Sequence, residues 1–318
     1  MPPRVHIDGH AGTTGLRIRD WLAGRRDIEL STLDDDRRKD AAARRAAIEA
    51  ADLTVLCLPD DAAREAARWA DGCGTRLIDA STAHRVAEGW TYGLPELDAG
   101  QRDAIREAPC VANPGCYPSA FILLTRPLVD EGLVPHDTPV SVHALSGYSG
   151  GGRGLIEKWE SPEQGLSSLP YEAPYALGAR HKHIPEMIAY SGLTLEPLFV
   201  PAVGAFRCGM RVEVPVPLGV LPMGVNSTAI LDCLRERYDG ESFVRVIHHP
   251  DPREAHERSF DPQACNDTNC MELHVVPHPS GHTLLVALLD NLGKGASGVA
   301  IQNLNLMLGL PETAHLPD

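Results

Sequence analysis

The fold is decided by RVHIDGHAGTTGLRIRDWL, residues 4–22 of the chain. RVHI predicts a short strand, which ends in a glycine-rich turn. After the turn, helical spacing of apolar residues is seen at Leu16, Ile18, Trp21 and Leu22. A strand, a tight turn and an amphipathic helix are the opening of a βαβ unit.

The turn itself contains Gly9, Gly12 and Gly15 in the spacing G-x-x-G-x-x-G. Glycines let backbone approach a pyrophosphate closely, and the helix that follows offers unpaired N–H groups and a positive dipole end. The spacing differs from the usual G-x-G-x-x-G fingerprint, so a plain strand-to-helix turn is the alternative. The strand–turn–helix context favours a dinucleotide site.

Strands and helices continue to alternate as far as about residue 85. Predicted strands are IELSTL (28–33), DLTVLCLP (52–59) and TRLIDAS (75–81), and predicted helices are DAAARRAAIEAA (40–51) and DDAAREAARWA (60–70). DLTVLCLP is a continuous apolar run, as expected for a strand covered on both faces. The alternation predicts a parallel sheet with crossover helices.

The pattern changes after Cys116. Strands of a second, sheet-rich layer are predicted at 136–147, 207–216 and 282–292, and a glycine-opened helix at 293–310. We therefore expect a dinucleotide-binding domain over 1–116, with the C-terminal helix of 292–318 packing back on it. Residues 117–291 would form a catalytic and oligomerisation domain.

Composition and charge limit the possible partners. The 318 residues, 43% of them hydrophobic, predict two domains or one large α/β unit. A formal net charge of −14 disfavours nucleic acid and anionic membranes as partners. The start MPPRVHIDG lacks the apolar region of a signal peptide, and the eight cysteines have no dense, regular spacing. A cytoplasmic protein with reduced thiols is expected.

The run STLDDDRRKD, residues 31–40, follows the second predicted strand. A carboxylate there would suit a ribose 2′-hydroxyl, whereas Arg37, Arg38 and Lys39 would suit a 2′-phosphate. A solvated charged loop explains any single member equally well, so position alone does not choose.

NPGCYPSAFILL, residues 113–124, places Cys116 where a helix should begin. Pro118 suits a first helical turn, and the apolar run after it predicts a buried helix. Unpaired N–H groups and the dipole at a helix N-terminus stabilise a thiolate, which is the nucleophilic form. We predict that Cys116 is a nucleophile and that the other seven cysteines are inert.

A cysteine nucleophile needs an acid–base partner, and ARHKHIPEM offers His181 and His183. On a strand both rings would share one face, and on a helix they would diverge. His181 is the first choice and His183 the reserve, while a solvated polar loop is the alternative.

The later cysteines and histidines could instead be metal ligands. These residues are Cys265, Cys270, His274, His278 and His282. Their spacing fits no standard zinc pattern, and a strand–turn–strand would separate them, so no metal is expected.

Seven segments together resemble the N-acetyl-gamma-glutamyl-phosphate reductase family in its shorter form. They are IDGHAGTTGLRIRDWL, DASTAHR, YGLPEL, NPGCYPSA, SGYSGGGR, HKHIPE and DNLGKGASGVAIQNLNLMLG, in order along nearly the whole chain. The resemblance implies an α/β and α+β protein with an N-terminal Rossmann-type parallel sheet and a catalytic domain like that of glyceraldehyde-3-phosphate dehydrogenase. It also implies NADP, a cytoplasmic location, a homodimer or homotetramer, and a step of arginine biosynthesis.

Site residues follow from the same resemblance. Cys116 would form a thioester with the substrate and His181 would be its acid–base partner. The cofactor would be bound by Gly9, Gly12, Thr13, Thr14, Gly15, Ser81, Ser149, Gly150 and Asn291. The small acyl-phosphate substrate would be bound by Arg85, Asn113, His183 and Lys294. The chain departs from the family at residue 119. Threonine is usual there, and Ser119 retains the hydroxyl group.

Two alternatives remain open at this point. Aspartate-semialdehyde dehydrogenase shares the fold and the chemistry, and its substrate would distinguish it. A non-catalytic dinucleotide sensor would leave the Cys116 thiol unused, so that all eight cysteines would react slowly with iodoacetamide.

Overall fold

Residues 1–161, 163, 170–249 and 259–318 are described by a computed structural model of the chain. They divide into two units, one formed by Met1–Gly115 with Ala296–Leu316, and the other by Cys116–Gly295 with Pro317–Asp318. Residues 292–295, which we expected with the last helix, lie in the second unit.

The first unit is built on a six-stranded sheet in the order β2-β1-β3-β4-β6-β5, with every neighbouring pair parallel. Its strands are β1 (Arg4–Asp8), β2 (Glu29–Ser31), β3 (Leu53–Leu56), β4 (Arg76–Asp79), β5 (Thr91–Tyr92) and β6 (Cys110–Ala112). Its first four helices are α1 (Thr13–Leu22), α2 (Ala41–Glu49), α3 (Asp60–Ala70) and α4 (Gln101–Glu107). The predicted parallel sheet with crossover helices is confirmed.

The apolar run at β3 is buried along its whole length, as expected for a strand between β1 and β4 that is covered on both faces. The helix after β2 starts where the sequence predicts, because the Asp40 side chain accepts from the Ala43 amide at 2.7 Å. The predicted strand of residues 28–33 is shorter in the structure, where only Glu29–Ser31 pairs with β1.

Two more helices carry or support residues of the site. The helix α5 (Cys116–Asp130) opens the second unit. The last helix of the chain is α9 (Gly298–Met307), and it belongs to the first unit. All ten residues of α9 are buried. Its polar side chains bond within the unit: Gln302 to Glu96, Asn303 to the Gly93 carbonyl, and Asn305 to Arg25.

The second unit contains a mixed, seven-stranded sheet in the order β11-β12-β13-β10-β7-β9-β8. Its strands are β7 (Ser141–Gly147), β8 (Glu172–Pro174), β9 (Leu198–Gly204), β10 (Met210–Val216), β11 (Val244–His248), β12 (Met271–Pro277) and β13 (Thr283–Leu289). The helices after α5 are α6 (Gly152–Glu160), α7 (Ile184–Ser191) and α8 (Ser227–Tyr238). The predicted strand–turn–strand of β12 and β13 is confirmed as an antiparallel pair.

Three predicted elements differ in length from those observed. The strand expected at 136–147 begins only at Ser141, because the Thr138 amide closes a turn onto the Pro135 carbonyl and Pro139 has no amide to donate. The strand expected at 207–216 begins after Gly209, whose φ of +114° breaks the extended backbone. The helix expected at 293–310 is a π-helical turn, Gly293–Ser297, followed by α9.

In the described part of the chain, no helix has both the length and the hydrophobicity needed to span a membrane.

Candidate active site

Cys116 is the first residue of α5, as the sequence predicts. The first amides of a helix have no partner within it, and Pro118 at the third position has no amide to satisfy. The next residues of α5 are buried, which fixes the helix in the unit, while Cys116 itself is half-buried. The thiol therefore lies at the positive end of a fixed helix and remains accessible.

Five of the other cysteines have thiols whose pKa is raised mainly by burial. The pKa is raised to about 12 for Cys57 and Cys265 and to about 11 for Cys233, and it is raised also for Cys110 and Cys270. A raised pKa keeps a thiol protonated and poorly nucleophilic at neutral pH.

His181 lies in the loop before α7, and His183 is the residue just before that helix. Neither is on a strand or within a helix, so the two spacing arguments from the sequence do not apply. The His183 amide donates to Nδ1 of His181 at 3.2 Å, and the two rings are 4.8 Å apart. Burial, followed by the charge of Lys182, lowers the pKa of His181 to about 4. His181 is therefore neutral at pH 7.

Two tyrosines connect this histidine to the start of α5. The Tyr175 hydroxyl lies 3.3 Å from Nε2 of His181 and donates to the Tyr117 hydroxyl at 3.3 Å. Burial raises the pKa of Tyr175 to about 12, and the charge of Cys116 adds to that rise. Phe199 of β9 packs edge-on against Tyr117 and His181, each at 5.2 Å. The structure thus gathers Cys116, Tyr117, Tyr175 and His181 in one cluster within the second unit.

Ser149 and Asn291, which the resemblance assigns to the cofactor, bond to each other in the second unit. The Asn291 amide donates to Ser149 Oγ at 2.9 Å, and its oxygen accepts from the Gly209 amide at 2.8 Å. Ser149 Oγ also lies 3.4 Å from Cys208 Sγ. Gly150 is exposed beside them, and a Cβ there would lie 3.4 Å from the Asn291 amide nitrogen. The Asn291 side chain thus braces the backbone around Ser149.

Lys294 lies in the π-helical turn and has no exposed surface. Its ammonium is 5.7 Å from the ring centroid of Phe243, within reach of a cation–π interaction. In this position the side chain anchors the turn within the second unit.

In the first unit, the glycine turn fits a phosphate group. A Cβ on Gly15 would lie 2.5 Å from the Gly9 carbonyl oxygen, and Gly9 itself has a φ of +91°. The α1 helix begins at Thr13 with no side-chain cap and no acidic residue in its first turn. The first amides of α1, including those of Thr13 and Thr14, have no partner within the helix, and Gly12 is exposed before them. Uncapped amides and close-packed glycines form an anion cradle.

Ser81 and Arg85 belong to a loop that Asp79 organises at the end of β4. The buried Asp79 carboxylate accepts from the Ser81 amide at 2.9 Å, from the Ser81 hydroxyl at 2.7 Å, and lies 2.6 Å from Nδ1 of His84. Arg85 donates through Nε to the Asn113 carbonyl at 3.0 Å. The Asn113 side chain bonds in turn to Asn303 and to the Ala296 carbonyl, all within the first unit.

The loop after β2 has no carboxylate at the strand end. Ser31 ends the strand, and its hydroxyl lies 3.2 Å from Nδ1 of His6. The carboxylate of Asp40 caps α2, and that of Asp35 pairs with Arg38 at 3.2 Å. Arg37 and Lys39 are exposed. The loop therefore exposes both acidic and basic side chains.

The histidines considered for a metal do not gather in one place. His274 is on β12 and lies 2.9 Å from His249, whereas His278 and His282 are in the turn before β13. Over residues 1–161, 163, 170–249 and 259–318, no group of three or more metal-ligand side chains is close enough to hold an ion.

Sequence reasoning missed Tyr117, Tyr175 and Asp79. Tyr117 stood beside the predicted nucleophile and Tyr175 six residues before His181, but no local pattern marks a hydroxyl that bonds across the fold. Asp79 is a carboxylate at the end of a buried strand, a signal that could have been used.

Two family models and full-length relatives match this chain. Residues 116–291 match the family described as "Semialdehyde dehydrogenase, dimerisation domain", and residues 32–108 match "Semialdehyde dehydrogenase, NAD binding domain". The chain is 46% identical over 319 residues to the N-acetyl-gamma-glutamyl-phosphate reductase of Trichormus variabilis, covering 99% of both chains. It is 48% identical to that of Burkholderia lata, covering 98% of both.

The chain belongs to the N-acetyl-gamma-glutamyl-phosphate reductase family. Its fold is also that of an aspartate semialdehyde dehydrogenase II from Vibrio cholerae, with a TM-score of 0.75, 16% identity and coverage of 97% of this chain and 99% of that one. At such low identity the likeness concerns the fold alone. As a member of the N-acetyl-gamma-glutamyl-phosphate reductase family, the chain is an oxidoreductase of the semialdehyde dehydrogenase type.

Proposed function

We propose that the protein reduces N-acetyl-gamma-glutamyl phosphate to N-acetylglutamate 5-semialdehyde with NADPH and releases phosphate, as a step of arginine biosynthesis. The observation that carries the proposal is Cys116 at the first residue of α5, in one cluster with His181, Tyr117 and Tyr175. The relatives that are 46% and 48% identical have the name of this activity. A cytoplasmic location goes with this biosynthetic role.

The first unit would hold the pyrophosphate of the cofactor, and the second unit would carry the nucleophile. Gly9, Gly12, Gly15 and the uncapped amides of Thr13 and Thr14 fit the pyrophosphate. Ser81, Ser149, Gly150 and Asn291 are proposed as further cofactor residues, and Arg85, Asn113, His183 and Lys294 as residues that shape the substrate site. When bound, NADPH supplies the hydride that reduces the acyl carbon.

Chemistry at Cys116 proceeds in two parts. The thiolate attacks the acyl carbon, the bond to phosphate breaks, and Sγ carries the acyl group as a thioester. This divides a difficult displacement into two easier steps. After reduction, the carbon–sulfur bond of the thiohemiacetal breaks, the aldehyde leaves, and the thiolate is regenerated. The positive end of the α5 dipole stabilises negative charge on the thiolate and on the substrate oxygen.

His181 controls the proton on that oxygen. Because Nδ1 accepts from the His183 amide, the neutral ring carries its proton on Nε2. This N–H can donate to the oxygen as charge develops there. The hydroxyls of Tyr175 and Tyr117 hold the ring in place and continue the hydrogen-bonded chain.

Residues 116–291 match a dimerisation domain, and we propose a homodimer or a homotetramer. One face of the second sheet is covered within the subunit at β10, and the other is half-exposed there. On β10, Val212 and Val214 are fully buried, whereas Arg211 and Glu213 on the other face are only half-buried. Light scattering coupled to size-exclusion chromatography measures the subunit number directly.

The decisive test is the reverse reaction. We expect reduction of NADP⁺ with N-acetylglutamate 5-semialdehyde that depends on added phosphate. Aspartate semialdehyde is the matched control and should give no comparable rate. A preference for aspartate semialdehyde would overturn the proposal, and so would a lack of turnover together with eight equally slow thiols.

A further inference from the structure

The Gly293–Ser297 turn follows β13 and is built on Asp290. The Asp290 carbonyl accepts from the Gly295 amide at 3.0 Å, and its carboxylate accepts from the amides of Leu292 at 2.8 Å and Asp267 at 2.9 Å. Asp290 has no exposed surface. Three hydrogen bonds to one buried residue fix the path of the chain into this turn.

The backbone of Gly295 lies directly against the nucleophile. A Cβ placed on Gly295 would be 2.7 Å from Cβ of Cys116, 3.4 Å from Cα of Cys116 and 3.1 Å from the Asp290 carbonyl oxygen. The Cβ of Cys116 cannot be moved by a side-chain rotation, because its position is set by the backbone. Any side chain at 295 would therefore displace either the turn or the start of α5.

The turn cannot withdraw, because its other side is also packed. A Cβ on Gly293 would lie 2.1 Å from the Thr268 carbonyl oxygen. Lys294 is fully buried with its ammonium over the Phe243 ring. The packing of Gly293 and Lys294 in the second unit therefore holds Gly295 against Cys116.

Backbone conformation does not explain the glycine. The left-handed region, in which glycine is favoured, is occupied by 13 glycines of the described chain, and Gly295 is not among them. Alanine could adopt the backbone angles of residue 295, so it is the close approach to Cys116 that demands glycine there.

We propose that Gly295 is a positioning residue for the nucleophile: its bare backbone supports Cys116 at the start of α5 and fixes where Sγ projects. The proposal rests on the proposed function and deepens it. Gly295 touches neither substrate nor cofactor in this role. It acts through Cys116 alone, so its replacement should affect the reactivity of one thiol.

The first experiment is Gly295→Ala. A misplacement of about 1 Å can cost on the order of 10²-fold in rate, so we expect kcat to fall about 10- to 100-fold with KM changed by less than about 3-fold. The rate of iodoacetamide alkylation at Cys116, followed by peptide mass spectrometry, should fall as well. The matched control is Gly219→Ala, because no atom lies within 4 Å of a Cβ there. Its kinetics and alkylation should equal those of the wild-type protein.

A second experiment covers the case in which Gly295→Ala folds poorly. Cys116→Gly removes the Cβ against which the new methyl would collide. Gly295→Ala should therefore lower the melting temperature less in the Cys116→Gly background than in the wild-type background. Folding of Gly295→Ala in the Cys116→Gly background alone would have the same meaning. An equal loss in both backgrounds, failure to fold in both, or a wild-type alkylation rate or kcat in Gly295→Ala would overturn the proposal.

These readouts separate the inference from the proposed function. Alkylation and thermal unfolding need neither substrate nor cofactor. A wild-type protein that does not act on N-acetylglutamate 5-semialdehyde would overturn the function, while the alkylation and stability results would still decide the contact.

Discussion

The backbone amide of His183 donates to Nδ1 of His181 at 3.2 Å, and this bond decides which ring nitrogen carries the proton. Nδ1 is the acceptor, so the neutral ring has its proton on Nε2, beside the Tyr175 hydroxyl. The pKa of about 4 keeps the ring in that form at neutral pH. His181 is thus held ready as a hydrogen-bond donor with a defined direction.

This arrangement predicts an acid-dependent loss of stability. The pKa of His181 is about 4 in the folded protein against 6.5 for an ordinary histidine, mainly because of burial. As pH falls from 6.5 towards 4, the unfolded chain takes up a proton that the folded protein does not, so the free energy of unfolding decreases. Well above pH 6.5 the ring is neutral in both the folded and the unfolded chain, so His181 causes no such decrease there. Thermal melts from pH 7 to pH 4 should show a shallower decline for His181→Asn, and an intermediate one for Lys182→Gln.

Replacement of the two histidines should separate their roles. His181→Asn should lower kcat by roughly 10²–10⁴, the range for loss of a proton-transfer group. His183→Asn should have a smaller effect, because its backbone amide would still hold His181. Steady-state kinetics over pH 5–9 measure both. A larger loss in His183→Asn would assign the role to His183.

Cys116→Ala should abolish the reduction of N-acetyl-gamma-glutamyl phosphate. NADPH binding should be nearly unchanged, because the glycine turn belongs to the other unit. Cofactor fluorescence measures binding and absorbance at the nicotinamide band measures turnover. Cys73→Ala, at an exposed cysteine, is the control and should keep full activity. Turnover in Cys116→Ala would contradict the thioester.

The glycine turn gives a paired prediction. In Gly15→Ala the new Cβ would lie 2.5 Å from the Gly9 oxygen and 2.9 Å from Cα of His10, so both the melting temperature and the affinity for NADPH should fall. In Gly12→Ala the nearest atom is 3.5 Å away, so the fold should be unaffected. If the pyrophosphate approaches Gly12, only NADPH affinity should fall in that variant. Unchanged NADPH affinity in Gly12→Ala would place the phosphate elsewhere.

Asp79→Asn should destabilise the loop that carries Ser81 and Arg85. The buried carboxylate accepts from Ser81 and pairs with His84, and the amide would turn a donor towards one of them. We expect a loss of about 2–4 kcal/mol in the free energy of unfolding. Asp103→Asn is the control, because an exposed pair with Arg106 contributes ~1 kcal/mol or less. Equal urea midpoints for the two variants would refute the role of Asp79.

Local patterns in the chain predicted the elements that depend on neighbours in sequence. Cys116 at a helix start follows from the proline and the apolar run beside it, and the parallel sheet follows from alternating apolar segments. The histidine loop was not predictable in this way, because neither strand nor helix spacing describes it. The hydrogen bond from Asn291 to Ser149 joins residues far apart in the chain, which no short window reveals.

Local sequence patterns were enough to predict the strand–turn–helix opening, the parallel sheet and Cys116 at its helix start, because hydrophobic period, glycine and proline act over a few residues. Tertiary packing alone sets the burial of Lys294, the hydrogen bond from Tyr175 to Tyr117 and the need for glycine at 295. These depend on distances between segments far apart in the chain. Packing sets such distances, and composition does not.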